Sequence, residues 1–155
     1  MQLSITSTGS VQLKSRNETV SLGDTVSINL FEVPGTGEYD VAGIQCEAYN
    51  LSAGNAYFIR LEDLLIAYMG QIDADIEKLD DAANANVLVV DVRSDDTPDK
   101  LKPIIKAMEP SYVVLRGAGA TEAFRAGLSL PLEQITSFKM TRTGLPLEGT
   151  TILHS

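Results

Sequence analysis

The sequence has very few of the side chains that bind transition metals. Its 155 residues include one histidine, His154, and one cysteine, Cys46, which lie far apart in the chain. A zinc site needs three or four Cys, His or carboxylate ligands, so a zinc-hydrolase centre built on histidines or cysteines is excluded. The single cysteine also excludes an intrachain disulfide. We expect Cys46 to be a small buried residue of a strand and His154 to be a solvated residue of the C-terminal tail.

Basic residues are scarce as well. Twelve Lys and Arg stand against 21 Asp and Glu, which gives a net charge of -9, and no dense basic cluster exists. An acidic surface repels nucleic-acid phosphates and anionic lipids, so we expect neither nucleic acid nor a membrane as a partner. The chain shows no signal-peptide pattern and no apolar run of about 18 residues. These absences predict a cytoplasmic protein.

The apolar residues that are present, 44% of the chain, are enough for one globular domain over residues 1–155. The first half alternates apolar and polar residues, as in Leu3 to Leu30. Turn signals such as Pro34–Gly37 interrupt this alternation. The pattern predicts an antiparallel meander of short strands.

The second half has a different rhythm. Ile72, Ile76, Leu79 and Ala83 are spaced as on one face of a helix. Next comes a sequence of buried strand, helix and buried strand in 87–92, 97–110 and 112–115. This order predicts a βαβ unit with parallel strands, in which Pro98 starts the helix and Pro103 either kinks it or delays its start.

Several segments, taken in order, resemble one family. They are PGTGEYDVAG (34–43), NAYFI (55–59), AYMGQ (67–71), the βαβ unit ending in Arg116, and LPLE (145–148). They are similar to the small metallo-β-lactamase-fold proteins related to ascorbate-6-phosphate lactonase. The resemblance covers most of the chain and implies an αββα sandwich. For the family it implies hydrolysis by a metal-activated water.

The chain departs from that family at every expected metal ligand. The His-x-His-x-Asp-His motif is absent, and only a single strand fits between Asp24 and Glu32. The family's later metal aspartate aligns with Gln71, and its last metal histidine aligns with Arg116. The resemblance therefore implies a shortened α/β (α+β) fold of this type without its metal centre, with no catalytic residue, no metal ligand and no cofactor.

Four residues are candidate ligand-binding residues: Gln71, Asp95, Arg116 and Gly117. Arg116 either binds a phosphate or carboxylate, or fills the place of the missing metal and pairs with a nearby carboxylate. Gly117 belongs to a small-residue segment that either cradles an anion at a helix N-terminus or forms a turn. Asp95 and its neighbours either bind a cation such as magnesium, or else cap a helix or pair with Arg93.

Deleting helices would leave one sheet partly bare, and bare sheets associate. We therefore expect a homo-oligomer, most simply a dimer. Candidate residues for the contact are the apolar positions of the first strands: Val11, Leu13, Val20, Leu22, Val26, Ile28 and Leu30.

Two functions remain open. The first is a non-catalytic binding or assembly protein, and a separate chain is a possible protein partner. The second is a metal-independent hydrolase or small-anion-binding protein that uses the cleft around Arg116 and Gln71. A thermal-shift screen with phosphorylated and carboxylated ligands separates them.

Overall fold

The fold is a sandwich of two β-sheets with helices on one outer face, seen in a computed structural model that describes all residues from Met1 to Ser155. The first sheet holds six strands: β1 (Gln2–Ile5), β2 (Val11–Ser15), β3 (Glu18–Leu22), β4 (Val26–Ile28), β5 (Phe31–Glu32) and β13 (Ser137–Lys139). The second sheet holds eight strands: β6 (Gly37–Val41), β7 (Ile44–Asn50), β8 (Asn55–Leu61), β9 (Leu64–Met69), β10 (Val87–Asp91), β11 (Tyr112–Arg116), β12 (Leu132–Gln134) and β14 (Thr151–His154).

The first sheet is an antiparallel meander in the order β13-β1-β2-β3-β4-β5. In the second sheet β6 to β9 continue the antiparallel pattern, and β9, β10, β11, β14 and β12 then run parallel to one another. The strand-rich first half and the βαβ unit of the second half are both confirmed. Strands β6 and β5 each end their sheet, and the chain passes directly from β5 to β6.

The chain has two α-helices, α1 (Pro98–Met108) and α2 (Glu122–Gly127). Helix α1 begins at Pro98 after Thr97 and runs through Pro103, whose side chain is exposed. The helix predicted from Ile72 to Ala83 is wrong, because this segment forms two short 3₁₀ turns, Ala74–Lys78 and Ala82–Asn84. The Asp73 side chain there accepts the amide of Asp75, and such local bonds compete with a regular helix.

Two apolar cores result from this layering. One lies between the sheets and includes Leu13, Ile66 and Val89. The other lies between the second sheet and the helices, and every buried residue of the four helical segments belongs to it. The central parallel strands β9, β10 and β11 are therefore buried on both faces, which accounts for their continuous apolar sequence. None of the helices has the length and hydropathy needed to cross a membrane.

The outer face of the first sheet has no helical layer, but it is polar. Ser4, Gln12, Ser21 and Ser27 form one cross-strand row on it. The contact surface predicted from the apolar positions of these strands is wrong, because all but one lie inside the chain's own core: Val11, Leu13, Val20, Leu22, Val26 and Ile28. Leu30 alone is exposed. A dimer stays a prediction, but these six positions cannot supply its contacts.

Candidate functional site

The candidate site lies at the edge of the sandwich where the parallel strands β9, β10 and β11 end. Ligands of open α/β sheets commonly bind beyond the carboxyl ends of such strands. Gln71 follows β9, while Asp91 and Arg116 end β10 and β11 and are register partners. Two turns of the first sheet close over this edge, one containing Gly9 and the other containing Gly23 and Asp24.

Arg116 is the centre of the site. Its Nη1 donates to both carboxylate oxygens of Asp91, at 2.8 and 2.7 Å, and lies 2.7 Å from the Tyr68 hydroxyl oxygen. Its Nε donates to the Gly9 carbonyl at 3.1 Å, and its Nη2 lies 3.5 Å from Asp24. The Arg116 side chain is 9% exposed. These four partners from both sheets hold it in place, and we call Arg116, Asp91, Tyr68, Asp24 and Gly9 the Arg116 cluster.

Tyr68 and Asp91 are shielded from solvent within this cluster. The Tyr68 hydroxyl lies 2.9 Å from the Gly23 carbonyl and 2.8 Å from Asp91, so its one proton serves two acceptors. Burial, followed by the charge of Asp91, raises the pKa of Tyr68. Burial also raises the pKa of Asp91, opposed by the hydrogen bond from Tyr68 and the charge of Arg116. The ion pair of Asp91 with Arg116 is thus stabilised by its short hydrogen bonds and destabilised by the loss of water around its charges.

A cleft of about 300 Å³ opens beside the Arg116 cluster. Tyr57 lines it and stacks on Tyr68, with ring centroids 5.8 Å apart and planes inclined by 21°. Gln71 and Arg93 line it as well. Arg93 is exposed and belongs to none of the ion pairs of the chain. The cleft therefore offers one unpaired cation and the amides of Gln71 and Asn55 to a small anion, beside the carboxylates of Asp24 and Asp91.

The structure brings two of the four predicted site residues to this edge. Gln71 lines the cleft, and Arg116 lies beside it, paired with Asp91 of the cleft lining as one of the two interpretations expected. Asp95 is exposed and does not line the cleft. The side chain of its neighbour Asp96 accepts a hydrogen bond from the Arg93 amide in the turn before α1 and forms an ion pair with Lys100.

Gly117 has a backbone role. Its φ is +97°, and a Cβ there would lie 2.7 Å from the Val92 carbonyl oxygen. A Cβ at Gly119 would lie 1.9 Å from the Arg93 carbonyl oxygen. The Gly119 amide donates to the Val92 carbonyl, and the amides of Ala120 and Thr121 donate to the carbonyls of Gly117 and Gly119. The glycines thus serve close packing of a turn against the end of β10.

The sequence reasoning missed Tyr68, Asp24 and the pairing of Asp91 with Arg116. One signal for the pairing was present, because Asp91 and Arg116 each follow four apolar residues of adjacent parallel strands. Equal strand lengths place such residues side by side at one edge. Tyr68 lies in a fully buried strand, where nothing in the local pattern separates it from a core residue.

The comparisons with known proteins bear on the fold. No protein-family model matches the chain, and no curated protein matches it in sequence. A solved structure from Thermotoga maritima, described as a candidate Zn-dependent hydrolase of the metallo-β-lactamase superfamily, matches with a TM-score of 0.70. The chain has the metallo-β-lactamase fold. The match covers 99% of this chain and 97% of the other at 11% identity, so the two are alike in length and the likeness concerns the fold alone.

The residues of this chain do not fit the zinc ion that the fold implies. No group of three or more His, Cys, Asp or Glu side chains converges anywhere in the structure. At the strand ends, Asp91 already binds a guanidinium, and a second cation would be repelled by it. Cys46 is buried in β7. His154 lies half-buried in β14 rather than in a solvated tail, and it alternates with Leu153 of the inter-sheet core, which turns it away from Arg116.

Proposed function

We propose that this chain is a non-catalytic binding or assembly protein on a metallo-β-lactamase fold. The observation that supports this is the pairing of Arg116 with groups of its own chain. Its guanidinium binds Asp91, Tyr68, Gly9 and Asp24 at the strand ends, at the position where the family resemblance puts a metal histidine. Nε and Nη1 of Arg116 are thus occupied by groups of its own chain, and only Nη2, 3.5 Å from the exposed Asp24, makes no hydrogen bond.

The absence of a converging ligand set supports the same proposal, because metal-activated water needs an ion held by several protein ligands with one position open. Elemental analysis of the purified chain tests it, together with hydrolysis assays on lactone, ester and phosphate substrates. We expect zinc, iron and manganese far below one equivalent per chain. We also expect that Arg116→Ala does not lower any rate of hydrolysis measured for the native chain. A stoichiometric metal, or hydrolysis lost in that variant, would overturn the proposal.

A second candidate function, binding of a small anion, is supported by Arg93 and Gln71 in the cleft of about 300 Å³. Arg93 has no ion-pair partner, unlike Arg116. A ligand at about 100 times its Kd stabilises a folded protein by about 2.7 kcal/mol. If this function holds, phosphate or citrate raises the melting temperature of the native chain and of Lys106→Ala, but not of Arg93→Ala. Equal shifts in all three proteins would reject it.

A further inference from the structure

The free edge of the second sheet differs from the rest of the surface. Strand β6 ends its sheet, so the outward backbone groups of Gly37–Val41 have no strand partner. Leu30 and Phe31, in the turn before β5 and at its start, are 102% and 41% exposed. Phe31 contacts Tyr39 of β6 with ring centroids 5.9 Å apart. We call β6 together with Leu30, Phe31 and Glu47 the open edge.

Folding alone does not account for the apolar residues of the open edge. Leu30 occupies a tight turn between two strands, where polar residues and glycine are the usual choice. Its side chain is fully exposed, so it contributes no burial to the fold. Four large hydrophobic residues are exposed in the whole chain, and two of them are these adjacent residues. Exposed apolar residues that adjoin an unpaired strand indicate a contact surface.

The charge of the open edge has one sign. Glu38 of β6 lies directly opposite Glu47 of β7, and Asp40 follows on the same face. None of these carboxylates, and not Glu32 of β5 either, belongs to an ion pair of the chain. Like charges directly opposite across a strand pair are destabilising. A shallow cavity of about 270 Å³ lies over these side chains.

The two faces of β6 differ in chemistry, and this difference defines the occupant. Tyr39 and Val41 turn towards the inter-sheet core and Phe31, whereas Glu38 and Asp40 turn to the other face. A strand added beside β6 would therefore place alternate side chains over Phe31 and over the carboxylates. Apolar residues fit the first face, and basic residues fit the second.

We propose that the open edge docks an extended segment of another protein in which basic and apolar residues alternate, added as a strand to β6. This proposal rests on the proposed binding function and names its partner by chemistry. A second copy of this chain is a poor occupant. Two β6 strands side by side would bring Glu38 and Asp40 of both copies onto one face, and each such pair repels.

Fluorescence anisotropy with a labelled peptide that alternates lysine and valine tests the proposal. A peptide of the same composition with its lysines clustered at one end controls for attraction by the net charge of -9. We expect the alternating peptide to bind at least about tenfold more tightly than the clustered one, because only alternation puts each residue type on its own face. Amide NMR shifts on binding should map to residues 37–41 and to Leu30 and Phe31.

Matched variants locate the contact. Glu38→Lys with Asp40→Lys should weaken binding of the alternating peptide at least about tenfold, since charge reversal at a contact repels the partner. Glu77→Lys with Asp80→Lys changes the net charge equally at exposed positions elsewhere and should change the affinity less than about twofold. Leu30→Ser should weaken binding without lowering the melting temperature, because that side chain buries nothing in the free protein.

Three results would overturn the docking proposal: equal affinity for the two peptides, equal loss in the two charge-reversal variants, or NMR shifts away from β6. A dimer in light scattering that dissociates in Leu30→Ser would replace the proposed partner with a second copy. Each of these results leaves the non-catalytic function intact. A stoichiometric metal or Arg116-dependent hydrolysis would reject that function. The peptide experiment would still decide separately whether the open edge docks a strand.

Discussion

The Arg116 cluster and the open edge are two charged regions at the rim of one sandwich, and they are built in opposite ways. In the Arg116 cluster each charge has a partner of the other sign, and the side chain of Arg116 is almost fully shielded although Asp24 is exposed. In the open edge Glu38 and Glu47 face each other, and no cation of the chain reaches them. The charges of the Arg116 cluster are therefore paired within the chain, whereas the charges of the open edge are not.

This difference shows which region each kind of experiment should examine. A completed ion pair between two sheets acts on stability, because removing one partner leaves the other buried and unpaired. An uncompensated, exposed patch acts on association, because its charges and apolar groups are satisfied only by a partner. Substitutions in the Arg116 cluster should therefore change the free energy of unfolding, and substitutions in the open edge should change it little.

The largest expected effect is that of Arg116→Ala. This change leaves the Asp91 carboxylate in a partly buried place without its cation and breaks the link to the Gly9 turn. We expect a loss of about 3 kcal/mol in the free energy of unfolding, measured by urea denaturation. Arg116→Met combined with Asp91→Leu removes both charges and should cost less than Arg116→Ala alone. A loss below about 0.5 kcal/mol for Arg116→Ala would place it among ordinary surface changes and contradict a closed cluster.

The next effect is that of Tyr68→Phe. The phenylalanine keeps the ring in the core and removes the hydroxyl that serves Gly23, Asp91 and Arg116. We expect a loss of about 1–2 kcal/mol, because buried acceptors lose their donor. Tyr57→Phe is the matched control: it stacks on Tyr68 but is partly exposed, and it should stay within about 0.5 kcal/mol of the native chain. Equal losses in both variants would contradict the assigned hydrogen bonds.

Much of the fold followed from local patterns in the sequence. The alternation around Val20 and Leu22 predicted strands with one buried face, and the apolar run at 87–92 predicted a strand buried on both. The segment from Ile72 to Ala83 misled, because its apolar spacing suits a helix while the Asp73 side chain bonds to the nearby backbone, an interaction that favours turns. The spacing of apolar residues indicates which residues are buried, but it does not decide whether the backbone there forms an α-helix or short turns.

The candidate site was less predictable, for a different physical reason. Gln71 and Arg116 were found through their place at strand ends in a family-like order. The partners of Arg116 include Gly9 and Asp24, which come from turns of the other sheet. Contacts between sheets depend on register and packing across the whole domain, and no local pattern encodes them. The exposure of Leu30 was missed for the same reason, since its alternation with Ile28 suggested one more core position.

The open edge should also show its contacts in the titration of a neighbouring tyrosine. Tyr49 donates to Glu47 of the open edge, and this hydrogen bond, followed by burial, raises the pKa of Tyr49 to about 12. A free tyrosine has a pKa of about 10. Because the folded-state pKa is the higher one, this contribution to stability is complete below pH 10 and is lost as the pH rises through 12. Ultraviolet absorbance of the phenolate, compared between the native chain and Tyr49→Phe, measures it. Glu47→Gln should bring Tyr49 back towards pH 10, and an unchanged titration in that variant would contradict the hydrogen bond.

The smallest expected effect has the opposite sign to the first. Glu38→Lys replaces one of two facing carboxylates with a cation opposite Glu47. A cross-strand pair of opposite charge is worth about 0.2–1 kcal/mol relative to a neutral pair, so the variant should unfold at a slightly higher urea concentration than the native chain. The same substitution should weaken binding of the alternating peptide. If Glu38 lowers the stability of the free protein and raises its affinity for a basic strand, then binding of that strand accounts for a glutamate at this position. If Glu38→Lys instead destabilised the chain, Glu38 would have a structural role within β6, and the open edge would lose the argument from its charge.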